Sequence, residues 1–200
     1  TTFPAGLLVA RYLANGSLDP TFGNQGIFKS SVSASRGYAV ALTSDEKIVS
    51  AGTKFNSSNQ NQDIFLTRIL PNGTADATFG NNGSITHDFS DSEFVFEMAI
   101  QADGKIVVFG KSNILPTYSV FRFLANGMVD SNFGTNGRVV LTQFAPTTWG
   151  DMRLQNDGKI VLGGTADDGS GGYQFWAARL LANGSLDAGF GINGIATTSF

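Results

Sequence analysis

Apolar residues in this chain come in short runs, and each run stops at a turn signal. Runs at 38–42, 96–101 and 151–155 lead into Asp45-Glu46, Asp103-Gly104 and Asp157-Gly158, and runs at 47–51, 105–109 and 159–162 follow them. An Asp-Gly pair between apolar runs predicts a two-residue hairpin, because both central residues of a type I′ turn need φ above zero. These runs are expected to pair as antiparallel strands, called b and c, with the Glu46 copy turning differently. Strand d ends before Asn-Gly, at 7–13, 65–70, 119–124 and 175–181. Strand a follows a Phe-Gly-x-x-Gly segment, at 27–32, 84–89, 138–144 and 195–200. No stretch carries the 3.6-residue apolar period of a helix.

The turn segments are copies of one cassette. Arg11, Asn15, Gly16, Asp19, Phe22, Gly23 and Gly26 return as Arg68, Asn72, Gly73, Asp76, Phe79, Gly80 and Gly83. They return again as Arg122, Asn126, Gly127, Asp130, Phe133, Gly134 and Gly137, then as Arg179, Asn183, Gly184, Asp187, Phe190, Gly191 and Gly194. Steps of 57, 54 and 57 residues between the arginines mark a repeat architecture, in which each copy buries its apolar face against its neighbours. Four short antiparallel strands per repeat predict an all-β array of β-propeller type with about 3.5 repeats. The expected division of the single repeat domain 1–200 is a half blade 1–26, blades 27–83, 84–137 and 138–194, and a half blade 195–200. A trefoil of four-strand units is the competing arrangement. Half blades at both ends predict either a longer chain or terminal strands that complete a blade with another molecule.

Composition narrows the function classes. Charged residues make up 14% of the 200, with a net charge of −3, which leaves no basic stripe for nucleic acid. Cysteine is absent, so neither disulfides nor thiolate metal sites hold the fold. No run approaches the length of a membrane span. No basic-then-apolar leader opens the chain, so any signal peptide is expected to have been removed or to lie outside this segment. The low-charge, Thr/Asn/Gly-rich make-up leans towards a secreted or cell-surface protein.

Candidate chemistry is thin. Arg11/Asp19, Arg68/Asp76, Arg122/Asp130 and Arg179/Asp187 recur eight residues apart and are read as structural, bidentate ion pairs rather than four anion sites. Asn15-Gly-Ser17, Asn72-Gly-Thr74 and Asn183-Gly-Ser185 are formal glycosylation acceptors, but the turn repeats at Asn126-Gly-Met128 without one. His87 is the single histidine and is read as an ordinary satisfied residue. Acids at Asp167/Asp168 and around Asp88, Asp91 and Glu93 are read as solvated loop residues, with an oxygen-ligand calcium site conceivable there. Neither a metal nor a cofactor is expected, and the chain is read as non-enzymatic, with a propeller-scaffold hydrolase as the weakest reading.

In a meander, b–c and d–a connections share one end of the sheet, and c–d and a–b connections share the other. The repeated turns fall on the first end. The loops at 53–63, 111–117, 165–172, 33–37, 90–93 and 145–149 fall on the second and differ between copies. Rigid scaffold with divergent loops is how binding surfaces are carried. Phe55, Tyr118, Trp149 and Tyr173 are the candidate binding aromatics there, suited to a glycan or a surface protein.

The combination Asp-Gly-Lys-Ile-Val, Arg-x-x-x-Asn-Gly-x-x-Asp and Phe-Gly-x-x-Gly, spread over essentially the whole chain, resembles the delta-60 repeat of bacterial proteins. The resemblance implies a large, exported, propeller-like repeat protein without an active site. The resulting expectation is a structural or adhesive module that self-associates through open terminal strands, or sits in a longer repeat chain, or displays its variable loops. The alternative is a lectin-like, carbohydrate-binding module using the loop end.

Overall fold

The computed structural model describes residues 6–112, 117–144, 150–168, 170 and 172–199. All regular structure among them is β-strand. β1 (Leu8–Ala10) and β2 (Ile27–Lys29) pair as a two-stranded antiparallel sheet. Three four-stranded meanders follow: β3 (Ser35–Leu42), β4 (Ile48–Asn56), β5 (Asn61–Ile69) and β6 (Ser84–His87); β7 (Glu93–Ile100), β8 (Ile106–Ser112), β9 (Thr117–Phe123) and β10 (Arg138–Leu141); β11 (Asp151–Leu154), β12 (Ile160–Asp167), β13 (Tyr173–Leu180) and β14 (Ile195–Ser199). The all-β array of four-stranded blades, about three and a half of them, is the architecture read from the repeats.

The sheets are cut one strand away from the expected boundaries. Strand a does not open a blade; it closes the preceding one, as β6 pairs with β5, β10 with β9 and β14 with β13. The cassette is the cause. It folds into a compact turn in which Arg68 N–H donates to Gly83 C=O and Asp76 N–H to Arg68 C=O, both at 2.9 Å, delivering strand a beside strand d. Among the described residues the one half blade is therefore β1–β2. The 195–200 segment is no open half blade, because β14 completes its sheet.

The b–c hairpins also differ from type I′. Thr43 C=O accepts the Glu46 N–H at 3.0 Å, and Thr43 N–H donates to Lys47 C=O at 2.9 Å. Of each central pair only the second residue is left-handed: Glu46 at φ 61°, Gly104 and Gly158 at 82°. This is the bulged hairpin, a tight turn followed by one left-handed residue. Glu46 adopts it without glycine's freedom, so that copy turns like the others.

The described residues fall into two compact units, one running to Phe94 together with Asn126–Met128, the other taking Val95–Ala125 and the chain from Val129. Within the first, Leu7, Phe22, Phe28, Ile48, Phe65 and Ile69 form an apolar core between β1–β2 and the β3–β6 sheet. Within the second, Trp176 of β13 packs on the preceding sheet, 4.9 Å from the Tyr118 ring, and stacks on Phe144 at 4.4 Å. Offset and tilted ring pairs of this kind add to the area they bury.

Candidate functional site

Each cassette pairs its own charges, and Arg11 and Arg122 also donate from Nη1 to a carbonyl of the next copy, those of Pro71 and Ala182. Arg Nε donates to Asp Oδ2 in all four copies, at 2.9 Å for Arg11–Asp19, 2.8 Å for Arg68–Asp76, 2.9 Å for Arg122–Asp130 and 2.8 Å for Arg179–Asp187. The pairs are not bidentate as expected, because the second oxygen is engaged elsewhere. Asp Oδ1 accepts the backbone N–H two residues on, from Thr21, Thr78, Asn132 or Gly189, at 2.9 to 3.2 Å. The guanidinium lies over the cassette's own Phe ring, 4.7 Å from Phe22, 4.8 Å from Phe79, 4.4 Å from Phe133 and 4.8 Å from Phe190. Cation–π contact and ion pair together fix the planar fork from two sides. At Asp76, burial pushes the carboxyl up, but the Thr78 hydroxyl and amide and the Arg68 charge outweigh it and hold it at about 2.

Successive cassettes also dock on one another. The amide of the Phe-Gly glycine donates to the Asn carbonyl of the next copy: Gly23 to Asn72 at 2.9 Å, Gly80 to Asn126 at 3.2 Å, Gly134 to Asn183 at 3.0 Å. The docked turn is a tight fit. A Cβ on Gly73 would lie 2.1 Å from the Gly23 nitrogen, one on Gly127 2.7 Å from the Phe79 ring, and one on Gly184 2.8 Å from Val139. His87 serves the same joint, its Nε2 2.8 Å from the Gly127 carbonyl, so it donates there, and burial lowers its pKa. The formal glycosylation asparagines are engaged in their own turns, Oδ1 of Asn15, Asn72 and Asn183 accepting from the hydroxyls of Ser17, Thr74 and Ser185 at 2.7 to 2.8 Å.

The candidate aromatics do not converge. Tyr118 is fully buried, stacked 5.6 Å from Phe109 with its hydroxyl donating to Thr165 C=O at 3.1 Å, so it is a core residue and not part of a loop surface. Phe55 is half-buried on β4, and Tyr173 is 54% exposed at the start of β13. Trp149, with the 145–149 loop, lies outside the described residues. The 53–63 loop shrinks to 57–60, because β4 and β5 extend through it with Lys54 opposite Asp63 and Asn56 opposite Asn61.

That extension creates the one cluster of carboxylates found among the described residues. Oxygens of Asp63 on β5, Asp88 after β6 and Glu93 opening β7 lie within 4.8 Å of one another. Asp88 is exposed, but Asp63, Asp91 and Glu93 are buried, which corrects the reading of Asp91 and Glu93 as solvated loop acids. Glu93 begins a strand, and a strand residue facing its sheet's covered side is taken from water. Asn56 donates to Asp63 Oδ2 at 3.0 Å, while Asp63 Oδ1 is buried without a hydrogen-bond partner. Burial, reinforced by the Asp88 charge, raises the Asp63 carboxyl above its ordinary range. These three residues could hold a divalent cation through oxygen. Asp63 was not singled out in the sequence, although alignment of the repeats flags it: Gly6, Thr117 and Gln174 hold its position in the other copies.

No curated protein matches the chain. The model of one family matches residues 6–22, 43–79, 101–133 and 155–190, which hold β1 and the central pairs β4–β5, β8–β9 and β12–β13, each with its cassette from the Arg to the Phe. The chain belongs to that family, described as "Domain of unknown function (DUF5122) beta-propeller".

Proposed function

We propose that this chain is a non-catalytic structural module of an exported bacterial protein, a scaffold of the delta-60 kind that presents irregular loops or assembles with its own kind at a surface. The carrying observation is how the repeated charges are spent. Each cassette's Asp uses both oxygens and each Arg its Nε and its ring face inside the fold, and His87 ties one turn to another. A repeated group held this way positions backbone and is not presented to a substrate. The test is fractionation of a producing bacterium with an antibody to the chain, alongside a turnover screen of the purified protein on ester, phosphate and glycoside substrates. Recovery from the surface or medium without turnover is expected; a cytosolic pool or reproducible turnover overturns the reading.

Exposure of Tyr173 favours one second reading, the lectin-like module, since an exposed ring beside polar loop groups suits a sugar face. Binding on a glycan array that is lost in Tyr173→Ala would support it, and a blank array would remove it.

A further inference from the structure

The acidic cluster of the first compact unit is built where the repeats depart from one another. Asp63 lies on β5, Asp88 follows β6 and Glu93 opens β7, and all three belong to that unit. Counted from the cassette Phe, the place of Asp88 is held in the other copies by Ser31, Thr142 and Ser199. Counted from the hairpin Asp, that of Glu93 is held by Ser35 and Thr147, and Asp63 stands where Gly6, Thr117 and Gln174 stand. Three acids that no other copy carries are thus folded to one point, an oxygen of each within 4.8 Å of the others. Glu93 is fully buried and Asp63 is 4% exposed, so two of the three carboxyls are out of water. Asp63 Oδ2 accepts from the Asn56 side chain at 3.0 Å, but Oδ1 is buried beside the other two acids without a hydrogen-bond partner. None of the ion pairs among the described residues includes Asp63 or Asp88. Carboxylates this close and this dry repel one another, and a proton or a cation between them relieves it.

We propose that Asp63, Asp88 and Glu93 bind a calcium ion. Oxygens held by one calcium at 2.3–2.6 Å stand at most about 5 Å apart, so the three carboxyls already lie within its reach. The buried Asp63 Oδ1 is the donor that the fold leaves for it. All the donors are hard oxygens, since the chain has no cysteine and His87 Nε2 is engaged at the Gly127 carbonyl, so a softer metal gains nothing here. Magnesium keeps several waters in a strict octahedron and takes one or two carboxylates, whereas calcium accepts several from separate segments. Exposed Asp88 leaves a side open for entry and for water ligands. The ion joins segments that weaker contacts already hold together: Asn59 donates to Asp88 Oδ2 and the Gln62 N–H to the Ser92 hydroxyl, both at 3.2 Å. It therefore acts as a clamp, fastening the 88–92 connection to the far end of the β4–β5 hairpin. This site goes beyond the scaffold reading and does not depend on where the protein is found.

Calcium itself is the probe. The whole chain is stripped with a chelator, titrated with calcium chloride by calorimetry, and melted with and without about 1 mM calcium. Saturable binding of a single ion per chain is expected, with a rise in melting temperature of about 5 °C or more. Magnesium should bind at least about tenfold more weakly. Asp63→Asn removes a charge at nearly constant size and should weaken calcium binding at least about tenfold. Once calcium is chelated, the same variant should melt no lower than the wild type, because the repulsion it relieves is no longer offset by an ion. If Asp63 only supported the fold, the variant would melt lower in both conditions. Asp88→Asn, at an exposed position that folding tolerates, should weaken calcium binding likewise. No saturable calcium binding, magnesium binding as tight as calcium, wild-type affinity in both variants, or a chelated Asp63→Asn that melts below the chelated wild type overturns the site.

Discussion

Asp76 shows how one carboxylate sets the acid limit of the fold. It accepts from Arg68 Nε at 2.8 Å and from the Thr78 amide and hydroxyl at 3.0 and 2.6 Å, and Lys47 Nζ stands 3.5 Å away. Its carboxyl, held at about 2, lies below the ordinary 3.8. A depressed carboxylate stabilises the fold above its unfolded pKa, and that contribution is lost as pH falls through the folded value. The difference corresponds to about 2 kcal/mol, lost between about pH 4 and pH 2. Urea midpoints measured across that window should fall steeply in the wild type and less steeply in Asp76→Asn; equal slopes would remove Asp76 as the cause. Glu46 carries a different residue-scale cost. It sits at φ 61° where Gly104 and Gly158 take the same position freely, and an L side chain there is penalised by about 1 kcal/mol. Glu46→Gly should therefore raise the melting temperature, and no rise would mean that the Glu46 side chain compensates.

At the scale of elements, the joint between cassettes can be separated from backbone strain. Gly16 and Gly73 share nearly the same conformation, φ 82° and 84°, but only Gly73 is docked. Gly16→Ala should cost about 1 kcal/mol, the left-handed penalty alone. Gly73→Ala should cost that and a further 1–3 kcal/mol or so, because its Cβ forces Gly23 backbone aside. Equal losses in chemical denaturation would show that the docked turn contributes nothing beyond its shape. Strands, turns and the ion pair were legible in the sequence because each depends on residues close in the chain: Arg68 and Asp76 are eight apart, and Asn72 bonds within its own turn. The ownership of strand a was not. Its apolar run reads the same whichever neighbour it joins, and only the backbone bonds of the folded cassette decide for strand d. Tyr118 was misplaced for a related reason, since an aromatic at a strand's first turn reads as loop until the facing Trp176 is known.

Identical cassettes acquire different stabilities from what covers them, which is a property of the whole array and of no single copy. In a repeat array, stability is approximately the sum of each repeat's own term and its neighbour terms, so an end element with a missing neighbour is weaker whatever its sequence. Burial follows that rule. β8 and β9 are buried along nearly their full length, whereas β14 is exposed over all but its first residue and β1 is exposed at both ends. Local opening needs little free energy where few buried apolar contacts must break, and approaches the global unfolding energy where many must. Amide hydrogen exchange in the isolated chain should therefore be slowest in β8 and β9 and faster by about a hundredfold or more in β1, β2 and β14. Protection that is uniform along the chain would mean that the array opens as one cooperative body, and burial would then no longer predict where it yields.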